Sequence, residues 1–131
     1  GNDKVGGLAG NNQGKLTNCY ATGHVNGDKN AGGLAGYNFN GQVTSCYAKG
    51  NVHARLSAGG LIGYNATKTT VTSCYATGVI SGYDWVGGLI GRNEGAVSKS
   101  YASGAVSGTM EIGGLVGLNF PPAIVHVCST R

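Results

Sequence analysis

A chain of 131 residues has room for one domain with a continuous core and not for two of ordinary size. Its 26 glycines do not fall every third residue and only two prolines accompany them, which excludes collagen, while 40% apolar against 11% charged residues exclude a solvated disordered tail. The longest apolar runs, such as 123–125, fall far short of a membrane span, and the nine Lys and Arg behind the net charge of +4 are scattered singly, so neither membrane insertion nor nucleic-acid binding is expected.

The first element along the chain is a box, VGGLAG at 5–10, and it returns as AGGLAG at 31–36, AGGLIG at 58–63, VGGLIG at 86–91 and IGGLVG at 112–117. Its first glycine recurs in steps of 26, 27, 28 and 26, a period in the range of stacked repeats. Each box predicts a short strand whose leucine, Leu8, Leu34, Leu61, Leu89 or Leu115, joins an inward ladder. The next residues, Ala9, Ala35, Ile62, Ile90 and Val116, have the opposite parity and are also apolar, as are Val5, Ala31, Ala58, Val86 and Ile112 three places before each leucine. Strict alternation therefore predicts an outward apolar stripe needing lateral cover. The paired glycines either take backbone angles closed to other residues or let the next layer approach closely. A phosphate cradle is not expected, because the box lacks the P-loop lysine and a following helix.

An asparagine follows each leucine by four residues: Asn12, Asn38, Asn65, Asn93 and Asn119. Stacked at a corner, such amides hydrogen-bond one another. Asn65-Ala66-Thr67 also matches a glycosylation acceptor. Variation in repeat length is expected in connections, at 65–70 and in stretches such as 27–30. Leu16, Val43, Val71, Val97 and Val125 then form a second apolar ladder.

The second box follows in phase: TNCYATG from Thr17, TSCYAKG from Thr44, TSCYATG from Thr72, SKSYASG from Ser98 and a degenerate VHVCST from Val125. Alternation points Cys19, Cys46, Cys74, Ser100 and Cys128 inward, and Tyr20, Tyr47, Tyr75 and Tyr101 outward. The thiols are either free and buried or joined by one bridge between neighbours, Cys19 with Cys46 or Cys46 with Cys74. The tyrosines either stabilise the sheet or offer a contact surface for sugar rings or a second protein. Val25, Val52, Val106 and either Val79 or Ile80 close the core.

With five or six glycines per repeat and no sustained helical spacing, helices are excluded, and the LxxLxLxxN frame of a leucine-rich repeat is missing. What remains is an all-β fold, a parallel β-solenoid of about four and a half coils of about 27 residues, spanning about 20 Å along its axis. GGLxG and the Cys-to-Val run supply two sides of an expected triangle. The whole chain, 1–131, reads as one repeat domain, with repeats at 5–30, 31–57, 58–85, 86–111 and a partial 112–131. It opens on Gly1-Asn2-Asp3-Lys4 with no signal peptide, so it reads as a mature or excised segment of a larger protein.

The GGLxGxN box followed by CYAxGxV resembles the GLUG repeat of bacterial surface proteins, found in adhesin-like secreted proteins and in accessory regions of metallopeptidases that cleave immunoglobulin A. The resemblance covers 5–128, departing at Ser100 and at Phe120-Pro121-Pro122. It implies an extracellular or cell-surface structural and adhesive module. Expected partners are other domains of the same polypeptide, further copies end to end or side by side, and host glycans or proteins. Catalysis, metals and cofactors are not expected: HExxH is missing, His24, His53 and His126 occupy unlike positions, and the five acids never fall in register. Two further readings are a filament subunit stacking through its open strand edges and an ice-binding array. The latter would use Thr17, Thr44, Thr72 and Ser98 with Thr22, Thr77 and Ser103, a second file that Lys49 interrupts.

Overall fold

Segments rich in Val, Ile, Thr and Tyr between Gly and Asn punctuation become strands of two to eight residues. In the computed structural model, which describes residues 3–120 and the strands Ile124–His126 and Ser129–Thr130, these strands form four parallel sheets. The second repeat shows the circuit: Val25–Gly32 in the first sheet, Ala35–Asn38 in the second, Gln42–Thr44 in the third and Tyr47–Ala48 in the fourth. Each sheet adds strands in chain order, and all pairs are parallel, so every coil lies on its predecessor as a β-solenoid. The described residues contain no helix long and apolar enough to cross a membrane.

Four sides rather than three arise because the stretch after Val-x-Gly is not a loop. Residues 27–30 lie inside the longest strand, Val25–Gly32, paired with Val52–Gly59. In the fourth coil the same side is interrupted, between Val106–Ser107 and Met110–Gly113. Variation in repeat length sits at one corner alone. From the asparagine to the first residue of the third sheet is three residues in Asn12 to Lys15, four in Asn38 to Gln42, five in Asn65 to Thr70 and three in Asn93 to Ala96. Thr69 Oγ1 closes the longest version on the Ala66 carbonyl at 2.5 Å. Phase elsewhere is constant, so Ile80 pairs with Val52 in the core and Val79 faces water.

The predicted lateral stripe does not exist. Ala35, Ile62 and Ile90 are as fully buried as Leu34, Leu61 and Leu89, and Ala9 and Val116 are half-buried. The reason is a bend at the second glycine and leucine that breaks the alternation: the Leu34 and Ala35 N–H groups both donate to the Leu61 carbonyl, at 2.9 and 3.1 Å. Both residues then enter the main core with Val43, Cys46 and Ala48, where burying a leucine rung contributes about 2–3 kcal/mol. Ala31, Ala58 and Val86 fill a smaller core beneath the first sheet with Val25, Val52 and Ile80. Leu8, on the first coil, is 48% exposed.

Of the two roles open to the paired glycines, close approach is the one found. None of the described glycines has a positive φ. A Cβ at Gly60 would meet the Gly88 carbonyl and the Ala76 methyl, and one at Gly33 the Gly60 carbonyl and the Ala48 methyl. Left-handed angles fall instead on non-glycine residues, among them Asn18, Ser45, Ser73 and Lys99, φ 52–56°, just before the cysteine position.

Candidate functional surfaces

A strand lifts successive side chains to opposite faces, so Tyr20, Tyr47, Tyr75 and Tyr101 leave the fourth sheet outward in register. Their ring centroids are 5.1, 4.9 and 5.0 Å apart with interplanar angles of 4–8°. This stacking sets what the ladder can do. The faces of Tyr47 and Tyr75 are covered on both sides by neighbouring rings, so the stripe presents edges and hydroxyls to solvent. A sugar or nucleobase stacks on a ring face, which favours the stabilising reading of the ladder over the platform reading.

The cysteines sit where the chain turns from the third sheet to the fourth and a ladder bond is missing. Sulfur supplies it. The Cys19 N–H donates to Cys46 Sγ and the Cys46 N–H to Cys74 Sγ, each at 3.4 Å, and the Cys74 N–H donates to Ser100 Oγ at 3.1 Å. Each side chain in turn donates to a carbonyl two residues back: Cys46 to Thr44 and Cys74 to Thr72 at 3.2 Å, Ser100 to Ser98 at 2.8 Å. Ser100 therefore reproduces the thiol's bonding. Cys19, Cys46 and Cys74 are free, while Cys128 lies outside the described residues. Burial pushes the Cys74 thiol up to about 11 and raises Cys46, which disfavours the reactive thiolate.

Asparagines at the next corner form a second polar ladder inside the protein. Nδ2 of Asn12, Asn38, Asn65 and Asn93 donates to Oδ1 of the asparagine one coil on, at 2.8–2.9 Å. Asn65 is fully buried and committed on both sides, so its side chain is inaccessible to glycosylation in the folded state.

A ladder that sequence reasoning missed runs outside the second sheet through Asn11, Tyr37, Tyr64, Arg92 and Leu118. Tyr37 and Tyr64 stack at 4.9 Å, Lys4 caps Tyr37 at 4.8 Å, and the Arg92 guanidinium lies 4.7 Å from Tyr64, 5.0 Å from Trp85 and 5.2 Å from Phe120. Glu94 accepts from Arg92 at 2.6 Å and from the Tyr64 hydroxyl at 2.7 Å. Burial, then the bond to Glu94, pushes Tyr64 up to about 12. The signal was the residue before each ladder asparagine.

The histidines do not converge. The Asn51 N–H donates to His24 Nδ1 at 3.0 Å, His53 Nδ1 lies 2.9 Å from Ser81 Oγ, and His126 is in register with Ser98. A shallow groove of about 430 Å³ beside His53 is lined also by Asn26, Asp28 and Arg55. Arg55 holds Asp28 at 3.0 Å and, by that hydrogen bond, lowers its carboxyl below the usual range. No three His, Cys, Asp or Glu among the described residues are placed to hold a metal ion.

A family model described as the GLUG motif matches residues 1–26, 27–52, 54–81 and 86–107. The chain belongs to the GLUG-motif family. The first three GLUG matches end within strands of the first sheet, so one GLUG motif is one circuit of the four sides. Comparison with curated proteins and with solved structures gave no match.

Proposed function

We propose that this GLUG solenoid is a structural and adhesive module of a bacterial cell-surface or extracellular protein, holding binding surfaces on a rigid stem. One observation carries the reading: the same four-sided circuit repeats in register, with side-chain ladders committed to joining one coil to the next. Such a stack is stiff along its axis and offers long, regular outer faces. The four GLUG-motif matches along the chain agree with such a repeat module. The test coats beads with the purified chain and measures attachment to host epithelial cells, with antibody staining of intact bacteria for location. Attachment above uncoated beads and staining without permeabilisation support the proposal; neither would sink it.

A second reading is a filament subunit in which copies stack coil on coil, as the repeats within the chain do in register along all four sheets. Electron microscopy of the purified chain decides: unbranched filaments support this reading and monodisperse particles remove it.

A further inference from the structure

The carboxylates are distributed very unevenly around the solenoid. Asp28, Asp84 and Glu111 lie in strands of the first sheet, and Glu94, at a corner, is engaged by Arg92 and Tyr64. The stretches that build the third and fourth sheets, 15–22, 42–49, 70–77 and 96–103, contain no Asp or Glu. Four of the six lysines are placed the other way. Lys15, Lys49 and Lys99 stand exposed on those stretches and Lys68 at their rim, one from each of four successive coils. Coils rise by about 4.8 Å, so these two adjacent sides together carry one such ammonium per rung. Among the described residues the ion pairs join Arg55 to Asp28 and Arg92 to Glu94, and neither involves these lysines.

Between the lysines the outward positions are mostly hydroxyl-bearing. Thr17, Thr44, Thr72 and Ser98 form one file in register, and the tyrosine ladder adds a phenol edge on each coil. The face is therefore cationic, rich in hydrogen-bonding groups, and poor in free aromatic faces and in apolar side chains. It suits a flexible chain of hydroxyls carrying fixed negative charge. A nucleic acid would seek ring faces for its bases, and a membrane would seek an apolar edge.

We propose that the adjacent outer faces of the third and fourth sheets bind an extended anionic polysaccharide, its carboxylate or sulfate groups meeting Lys15, Lys49, Lys68 and Lys99 and its hydroxyls the threonine file. This rests on the adhesive reading and gives it a ligand class. Binding to polygalacturonate, heparin, neutral dextran and oligothymidylate is measured calorimetrically at low and high salt. Polygalacturonate or heparin is expected to bind, with affinity falling as salt rises; which of the two is preferred identifies carboxylate or sulfate as the recognised group. The double variant Lys49→Gln/Lys99→Gln should weaken binding by roughly fivefold per lysine. Lys4→Gln/Lys29→Gln, with the same loss of charge from the first sheet, should leave affinity within about twofold. Equal weakening by both pairs, oligothymidylate bound as tightly as the polysaccharides, or no polysaccharide binding would each overturn the proposal. Beads coated with Lys49→Gln/Lys99→Gln separate the two claims: attachment equal to wild type refutes this ligand and leaves adhesion standing.

Discussion

Replacing Cys74 tests whether the buried thiols act as hydrogen-bond bridges or as filler. Its sulfur accepts the Cys46 N–H at 3.4 Å and donates to the Thr72 carbonyl at 3.2 Å, and both cysteines are about 1% exposed. Cys74→Ala leaves that N–H buried without a partner, about 1–3 kcal/mol, and removes the sulfur's packing, about 1 kcal/mol more. The expected loss is thus about 2–4 kcal/mol. Cys74→Ser should cost below about 1 kcal/mol, because the hydroxyl of Ser100 already performs the same task one coil on, accepting at 3.1 Å and donating at 2.8 Å. Urea unfolding followed by circular dichroism gives both values. Serine as costly as alanine, or alanine without cost, would refute the bridging role.

Alkali should act through the same thiol: its pKa is about 11 against an ordinary 9.0, so the folded state keeps its proton longer, and stability present below pH 9 should fall between pH 9 and 11, less so in Cys74→Ser. A thiol-alkylating reagent with mass spectrometry should modify half-buried Cys19 well before Cys46 and Cys74; uniform labelling would contradict the burial. Gly60→Ala should destabilise by about 3 kcal/mol or more, since its methyl would strike the Gly88 carbonyl and Ala76, while Gly23→Ala, with nothing within 4 Å, should be nearly neutral in the same urea titration. Asn65→Asp should lose about 3–5 kcal/mol at neutral pH by placing an unpaired charge in the amide ladder, measured the same way; a loss below 1 kcal/mol would contradict the burial.

Period and ladder membership were legible because identical residues recur at nearly constant spacing, and Leu61, Asn65, Cys74 and Tyr75 each stack on their counterparts. Four features were not. Strict alternation sent Ala35, Ile62 and Ile90 outward, yet the bend after the paired glycines turns them into the core, and a period-two rule cannot register a bend inside a box. Variable residues such as 27–30 looked like a loop, although a strand facing solvent needs no fixed side chain, only backbone pairing. The Tyr37–Tyr64–Arg92 ladder escaped notice because its rungs differ in type; a guanidinium continues a ring stack by cation–π contact, which identity-based alignment does not detect. The lysines were passed over for a related reason, since each coil carries its lysine at a different position along or beside the third and fourth sheets.

Through-hydrogen-bond scalar couplings on isotopically labelled protein test the stacking of coils most directly, because they name donor and acceptor together. Predicted are couplings from the Leu34 nitrogen to the Leu61 carbonyl, from Leu61 to Leu89 and from Leu89 to Leu115, matching N···O distances of 2.9, 2.8 and 2.9 Å. Partners four residues apart, as in a helix, or antiparallel pairs across a hairpin would contradict the solenoid.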